Sequence, residues 1–467
     1  MWRAFFVIPI LALTPNTILS VELRELETVY EWKKVEYGFA AEEDRQDAID
    51  NENLVPENAT PIDVAVDYHS EKGTRVFTTT PRFNTGIPYT LAVVTDKTEE
   101  NGPVLLPYPD YSWHNSNGSN CEKITSVYRV AITECNQMIL VDTGVIDDIQ
   151  HCPPQLLVFD LNTDTLSHRY VFDPSIYVDV ASLFITPIAL VNDPPPKGSC
   201  SKLKVYVADV MFHGLVVYDS ELDTAWRIEN RFMYPDPDYG LLSIADEKFF
   251  IMDGIFGLAS DGEQLYFHPL ASINEYSVPL SVINNRTIFE EDVEAAPLAF
   301  RRVGERSSPC AAQAMDSHNN LYFVTFNPIK LTRWSPNKPY TPKTELDIPA
   351  NPKLIEFVSA MKVHKNKAGI EELWMTSNRF QKVNRGTMDF SEVNFRLLRR
   401  PLDDIQKVST SNKSHSESGS SSSKSQSDSG SSSDESQSES GSSSDESQSD
   451  SGSSSNESQR DSGSSSD

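Results

Sequence analysis

Lys204 to Asp219, KVYVADVMFHGLVVYD, is the stretch that decides the fold. Two runs rich in Val, Leu and Tyr, Leu203–Val210 and Gly214–Tyr218, flank a short turn that ends in Gly214, which reads as two adjacent strands. The same apolar-aromatic-apolar text followed by a charged or small turn recurs more weakly at Asn136–Gly144, Gly262–Pro269 and His318–Trp334. Further strand-like runs are Ile62–Tyr68, Arg75–Thr79, Leu91–Val94, Val127–Ile132, Met138–Asp142, Leu156–Phe159, Phe249–Met252, Leu265–Pro269, Leu321–Phe326 and Leu373–Thr376. Long amphipathic helical patterns are nearly absent. So many short strands without a linker-like break exceed an ordinary sandwich and suit a β-propeller, whose blades leave only short protected edges. The repeats are too degenerate to count blades.

Outside this body the composition changes at both ends. Arg3, an apolar run from Ala4 to Leu13 and a polar stretch to Ser20 have the layout of a signal peptide over residues 1–20. No segment reaches the roughly 20 apolar residues of a membrane span. Together with the sequons Asn58, Asn117 and Asn285, this predicts a secreted, extracellular glycoprotein. The body then covers residues 21–408. From residue 409 to 467 the chain is Ser, Gly, Asp, Glu and Gln, with glycines at 419, 430, 441, 452 and 463 and no apolar seam. Such a composition predicts a disordered acidic tail. Ser433, Ser444 and Ser455 each stand two places before a Glu and are candidate phosphorylation sites, each adding about −1.5 to −2 charges. A polyanion of that kind would contact calcium or an extracellular matrix.

A net charge of −28 over 467 residues argues against nucleic acid as a partner, and no membrane contact is expected. Five cysteines, Cys121, Cys135, Cys152, Cys200 and Cys310, predict one or two disulfides with one thiol left over. The pairing is open. No CxxC or histidine spacing supports a metal, and no cofactor motif is present.

Several segments resemble the insect Yellow / major royal jelly protein family. They run from Tyr30-Glu-Trp-Lys33 and Phe77-Thr-Thr-Thr-Pro-Arg82 through Cys121–Arg129 (CEKITSVYR), Leu140-Val-Asp-Thr-Gly144 and Cys152–Leu161 (CPPQLLVFDL). The match continues in Asp253–Ala259 (DGIFGLA), Leu265–Ser272 (LYFHPLAS), Trp374–Asn378 and Val393–Arg396. The resemblance implies a six-bladed propeller with a ligand cavity at one mouth of the central channel. It implies handling of small aromatic amines or catechol-derived compounds, in pigmentation or sclerotisation of cuticle or eggshell. Some members are dopachrome tautomerases, which are isomerases of the melanin pathway; others bind biogenic amines without turnover, and others are storage or matrix proteins. Enzyme, binder and structural phosphoprotein therefore stay open as readings.

No catalytic motif such as G-x-S-x-G or H-E-x-x-H is present, so the catalytic residues stay unassigned. Asp142, Asp209 and Asp253 each close an apolar strand before a turn, where carboxylates commonly bond turn amides. Asp209 and Asp253 are also taken as candidates to face the mouth and attract an amine. His213 and His268 are the histidines available for acid/base work. The segment Phe323–Trp334 resembles the innermost strands around the family's amine pocket, with Gln313, Thr325 and Asn327 as expected liners. Ile329 and Arg333 depart from the polar residue and the Cys that the family commonly carries there.

Overall fold

The computed structural model describes residues 24–405. The expected signal peptide and the serine-rich tail, with Ser433, Ser444 and Ser455, lie outside the described residues. Within them the chain is an all-β, six-bladed propeller. Blade 1 is Asp63–Asp67, Arg75–Thr79, Leu91–Glu99 and Gly102–Pro107, extended by the parallel strand Glu36–Tyr37. Blade 2 is Val127–Ile132, Gln137–Asp142, Gln155–Asp160 and Thr165–Val171; blade 3 is Phe184–Val191, Leu203–Asp209, Gly214–Asp219 and Thr224–Glu229. Blade 4 is Ile255–Ser260, Gln264–Pro269, Asn274–Pro279 and Arg301–Glu305; blade 5 is Gln313–Met315, Leu321–Phe326, Ile329–Trp334 and Leu346–Ile348. Blade 6 joins Val358–Lys365, Glu371–Ser377 and Phe395–Pro401 to the N-terminal strand Glu27–Trp32, which closes the ring.

The first strand of each blade lies innermost, beside its counterparts around the ring. Apolar side chains fill the spaces between blades. Tyr206, Leu215, Val217, Leu258, Phe267 and Val278 make the seam of blades 3 and 4, while Ile139, Val158, Val205 and Val216 make that of blades 2 and 3. Central strands are thus covered on both faces and read as continuous apolar runs. The opening stretch folds as read, with Lys204 paired to Asp219 across the hairpin and Asp209 to Gly214. Outer strands escaped the sequence reading because they are half exposed and polar. Thr165–Val171 (TLSHRYV) and Arg301–Glu305 (RRVGE) contain no apolar run. Phe249–Met252 also differs: Glu247–Phe250 pairs with Leu241–Ile244 in a hairpin outside the blades.

Cys121 bonds Cys152, and Cys135 bonds Cys200, which ties loops of blades 2 and 3 together. Cys310 is the free, buried thiol. Asn117 and Asn285 are exposed, while Asn58 is partly covered and donates to the Thr85 carbonyl oxygen at 3.0 Å.

Candidate functional site

Inner strands begin at one end of the channel, and their first residues frame a cavity of about 190 Å³. Ile62, Tyr128, Ile185, Phe256 and Phe357 contribute from five different blades, and the loop residues Phe83 and Phe380 complete an aromatic wall. Phe83 meets Tyr128 edge to face at 5.3 Å, and Phe380 lies 5.3 Å from Phe357. Such rings offer flat apolar surface at little entropic cost.

Besides the Tyr128 hydroxyl, four polar side chains interrupt the wall: Arg129, Asp253, Ser359 and Asn378. Two of them are occupied with each other and the backbone. Asn378 Nδ2 donates to Pro61 O and to Ser359 Oγ, both at 3.0 Å, and Ser359 Oγ donates to Ile62 O at 2.8 Å. The other two keep capacity to spare. Burial pushes Asp253 up to about 7, and neither a hydrogen bond nor a nearby cation counters it. Arg129 is buried, its two terminal nitrogens donating to Thr186 Oγ1 and the Ser359 carbonyl, and its guanidinium lies 4.6 Å from the Phe256 ring. Its Nε has no partner. Burial lowers Arg129 to about 10, with Asp63 opposing the shift, so it is a cation at neutral pH.

Below Arg129 the channel narrows to a space of about 50 Å³ flanked by Asp63 and Lys362. These two form a buried ion pair in which Lys362 Nζ also donates to Val64 O at 2.9 Å and Asp63 Oδ2 accepts from Val130 N at 2.8 Å. Arg129 adds a second cation to this pair. The opposite mouth, about 260 Å³, is lined by the far ends of the inner strands, including Met315, Met361 and His364. Burial and then Lys362 lower His364 to about 3, so the ring is neutral at neutral pH.

Of the residues singled out from sequence, only Asp253 reaches the aromatic cavity. Asp209 accepts from Ser182 Oγ at 2.7 Å, Leu183 N at 2.8 Å and Arg227 Nη1 at 2.8 Å, and so braces the strand ends of blade 3. Asp142 does the same in blade 2 through the Thr125, Ser126 and Gly144 amides. Blade 5 corrects the reading of Phe323–Trp334 as innermost: Gln313–Met315 holds that place, and Leu321–Phe326 is second. Thr325 accordingly turns its hydroxyl to Pro328 O at 2.7 Å, and Asn327 is exposed at the hairpin tip. His213 packs beside Tyr234 with Nδ1 3.0 Å from Val210 O.

Gln313 and His268 belong to a second polar cluster, buried between blades 4 and 5. Gln313 Nε2 faces the Tyr266 carbonyl and Glu275 Oε1, so its Oε1 accepts from His268 Nδ1 at 3.0 Å. His268 Nε2 faces the Ala311 carbonyl at 3.1 Å and Cys310 Sγ at 3.4 Å. With acceptors before both nitrogens, the ring carries both protons. Burial and Arg306 work against that charge, but Cys310 and Glu275 outweigh them and push His268 up to about 9. Glu275 also receives Arg306 Nη1 at 2.9 Å. Gly257 makes room for the imidazole: a Cβ there would stand 2.2 Å from His268 Cε1.

Asp316, His318 and Glu371 bring one ligand atom each to within 4.8 Å of one another. Their oxygens already accept from Asn320, Tyr322 and Ser317, away from the mouth. No helix among the described residues is long and apolar enough to cross a membrane.

The fold and the site together define a six-bladed propeller with an aromatic cavity at one mouth of its axial channel, into which one carboxyl and one guanidinium project. Comparison with known proteins narrows the class. The model of the major royal jelly protein family matches residues 125–410. Dopaminechrome tautomerase of Drosophila melanogaster is 30% identical over 407 residues, covering 84% of this chain and 85% of that one. Major royal jelly protein 9 of Apis mellifera is 29% identical over 80% of this chain and 88% of its own length. Protein yellow of Drosophila melanogaster is 29% identical over 81% and 69%. The chain belongs to the Yellow / major royal jelly protein family.

Proposed function

We propose that this chain is a secreted protein of pigmentation or sclerotisation that takes catecholamine-derived aminochromes into the aromatic mouth and isomerises them. The observation that carries the reading is Asp253, a carboxyl that burial pushes up to about 7 in a wall of aromatic rings. A general base works best when its pKa lies near the operating pH. The relative named dopaminechrome tautomerase supports the choice of reaction.

Isomerisation needs no oxidant or reductant. A C–H bond on the saturated ring breaks to Asp253, its electron pair moves through the conjugated system to a quinone oxygen, and that oxygen takes up a proton. A second such shift completes the catechol.

Loss of the visible absorbance of dopaminechrome tests the reading. Turnover above buffer that falls by about 10²-fold or more in Asp253→Asn is expected; a rate equal to buffer removes the isomerase. Asp253 also favours a second reading, a counter-ion for a protonated amine, which predicts stoichiometric heat with dopamine and no product.

A further inference from the structure

The guanidinium at the floor of the mouth is not accounted for by a base or by a counter-ion for an amine. Arg129 is buried, and of its five N–H donors one on each terminal nitrogen is used. Its other contacts, Thr186 Oγ1 and the Ser359 carbonyl, are neutral, and the nearby Asp63 is already bonded to Lys362 and the Val130 amide. The guanidinium lines the cavity with donors to spare and no anion of its own, so a ligand oxygen there can accept a charge-assisted hydrogen bond. Asp253 is raised by burial alone, so Arg129 does not act as its partner. Between these two groups stand rings, aliphatic chains and the Tyr128 hydroxyl, with Ser359 and Asn378 already bonded. The cavity is therefore bipolar, with a proton-accepting carboxyl and a separate cationic donor.

We infer that Arg129 is the residue that reads the ring oxygens of the ligand, so that the site selects catechols and ortho-quinones over aromatic amines lacking those oxygens. The inference rests on the mouth being the ligand site and adds the residue that selects the substrate class. During isomerisation the electron pair leaving carbon arrives on the oxygen facing Arg129, and a preorganised cation in a water-poor site stabilises that charge. Lys at this position would supply a point charge without the planar donor set.

Titration calorimetry with dopamine and with 2-phenylethylamine, which share the amine but not the ring oxygens, tests this on the whole chain. The wild type is expected to bind dopamine at least tenfold more tightly. In Arg129→Leu the ratio falls to near one while 2-phenylethylamine binding stays within about twofold, and in Arg129→Lys the ratio falls at least threefold. Where Arg129→Leu does not fold, the Lys variant decides. A wild-type ratio near one, or a ratio unchanged in the variants, overturns the inference. Turnover of dopaminechrome with an Arg129-independent ratio leaves the isomerase and removes this role; an Arg129-dependent ratio without turnover does the reverse.

Discussion

The mouth of the channel and the cluster between blades 4 and 5 are both buried, both charged, and both contain one carboxyl and one arginine, yet they are built to opposite ends. Around Glu275 nearly every donor has an acceptor: Arg306, His268 and Gln313 converge on one carboxylate, and Arg306 also reaches Asn274 O at 2.9 Å. Around Asp253 nothing converges. Low dielectric strengthens a satisfied network and penalises an unsatisfied one. The first region holds two blades together, and the second leaves its carboxyl without a charged or hydrogen-bonding partner.

The widest gap between the two should come from Glu275→Gln. It leaves Arg306 and His268 as buried cations without a counter-charge, and removing one partner of a buried ion pair costs about 3–5 kcal/mol. Chemical denaturation should show that loss, while folded protein still binds ligand at the mouth. Next is pH. His268 stands near 9 when folded against about 6.5 when unfolded, so its contribution is complete below about pH 6.5 and is lost as pH rises through 9. The free energy of unfolding should decline over that window by about 3 kcal/mol, and His268→Gln should flatten the decline.

Asp253→Asn should have the opposite sign. A carboxyl raised to about 7 contributes most when protonated, below its unfolded value near 4, and loses that stability as pH rises through 7. At pH 8 the neutral amide should stabilise the fold by about 1 kcal/mol while ligand binding and turnover collapse, the familiar trade between stability and function. Lys330→Ala sets the baseline, because its pair with Asp347 is largely solvated and worth under about 1 kcal/mol. A midpoint change as large as that of Glu275→Gln would break the contrast between buried and solvated charge.

How far the sequence could be read follows the same physics. Second strands of the blades were legible because strands covered on both faces are apolar; edges such as Thr165–Val171 were not, and neither were the innermost strands Phe184–Val191, Ile255–Ser260 and Val358–Lys365, whose runs are broken by Pro187, Gly257 and Lys362. Asp142, Asp209 and Asp253 look alike as text, each an acid after an apolar run. Only the fold separates two that bond turn amides from one that bonds nothing. Strand order within blade 5 is likewise invisible in Phe323–Trp334, which is why Thr325 and Asn327 lie off the cavity. Tyr128 and Arg129 stood inside a quoted motif without being marked. Their signal is position: an aromatic residue recurs at the start of inner strands, at Tyr128, Phe256 and Phe357, and the residue after Tyr128 turns toward the channel.

Ring closure makes the first strand synthesised the last to find its place. Glu27–Trp32 pairs only with Phe395–Pro401, and Arg399 reaches back to Glu27 at 2.7 Å across 372 residues of chain. Until blade 6 exists, Trp32 has only the cover of blade 1, with its indole N–H on Pro103 O at 2.6 Å, and without Glu27–Trp32 the strand Phe395–Pro401 has an open edge. Contacts this distant in sequence slow folding, so a nascent body halted before residue 395 would keep a sticky end waiting for a partner, and a chaperone or a second copy could take the vacant place. Closure is thus a checkpoint on completeness as well as a fastening.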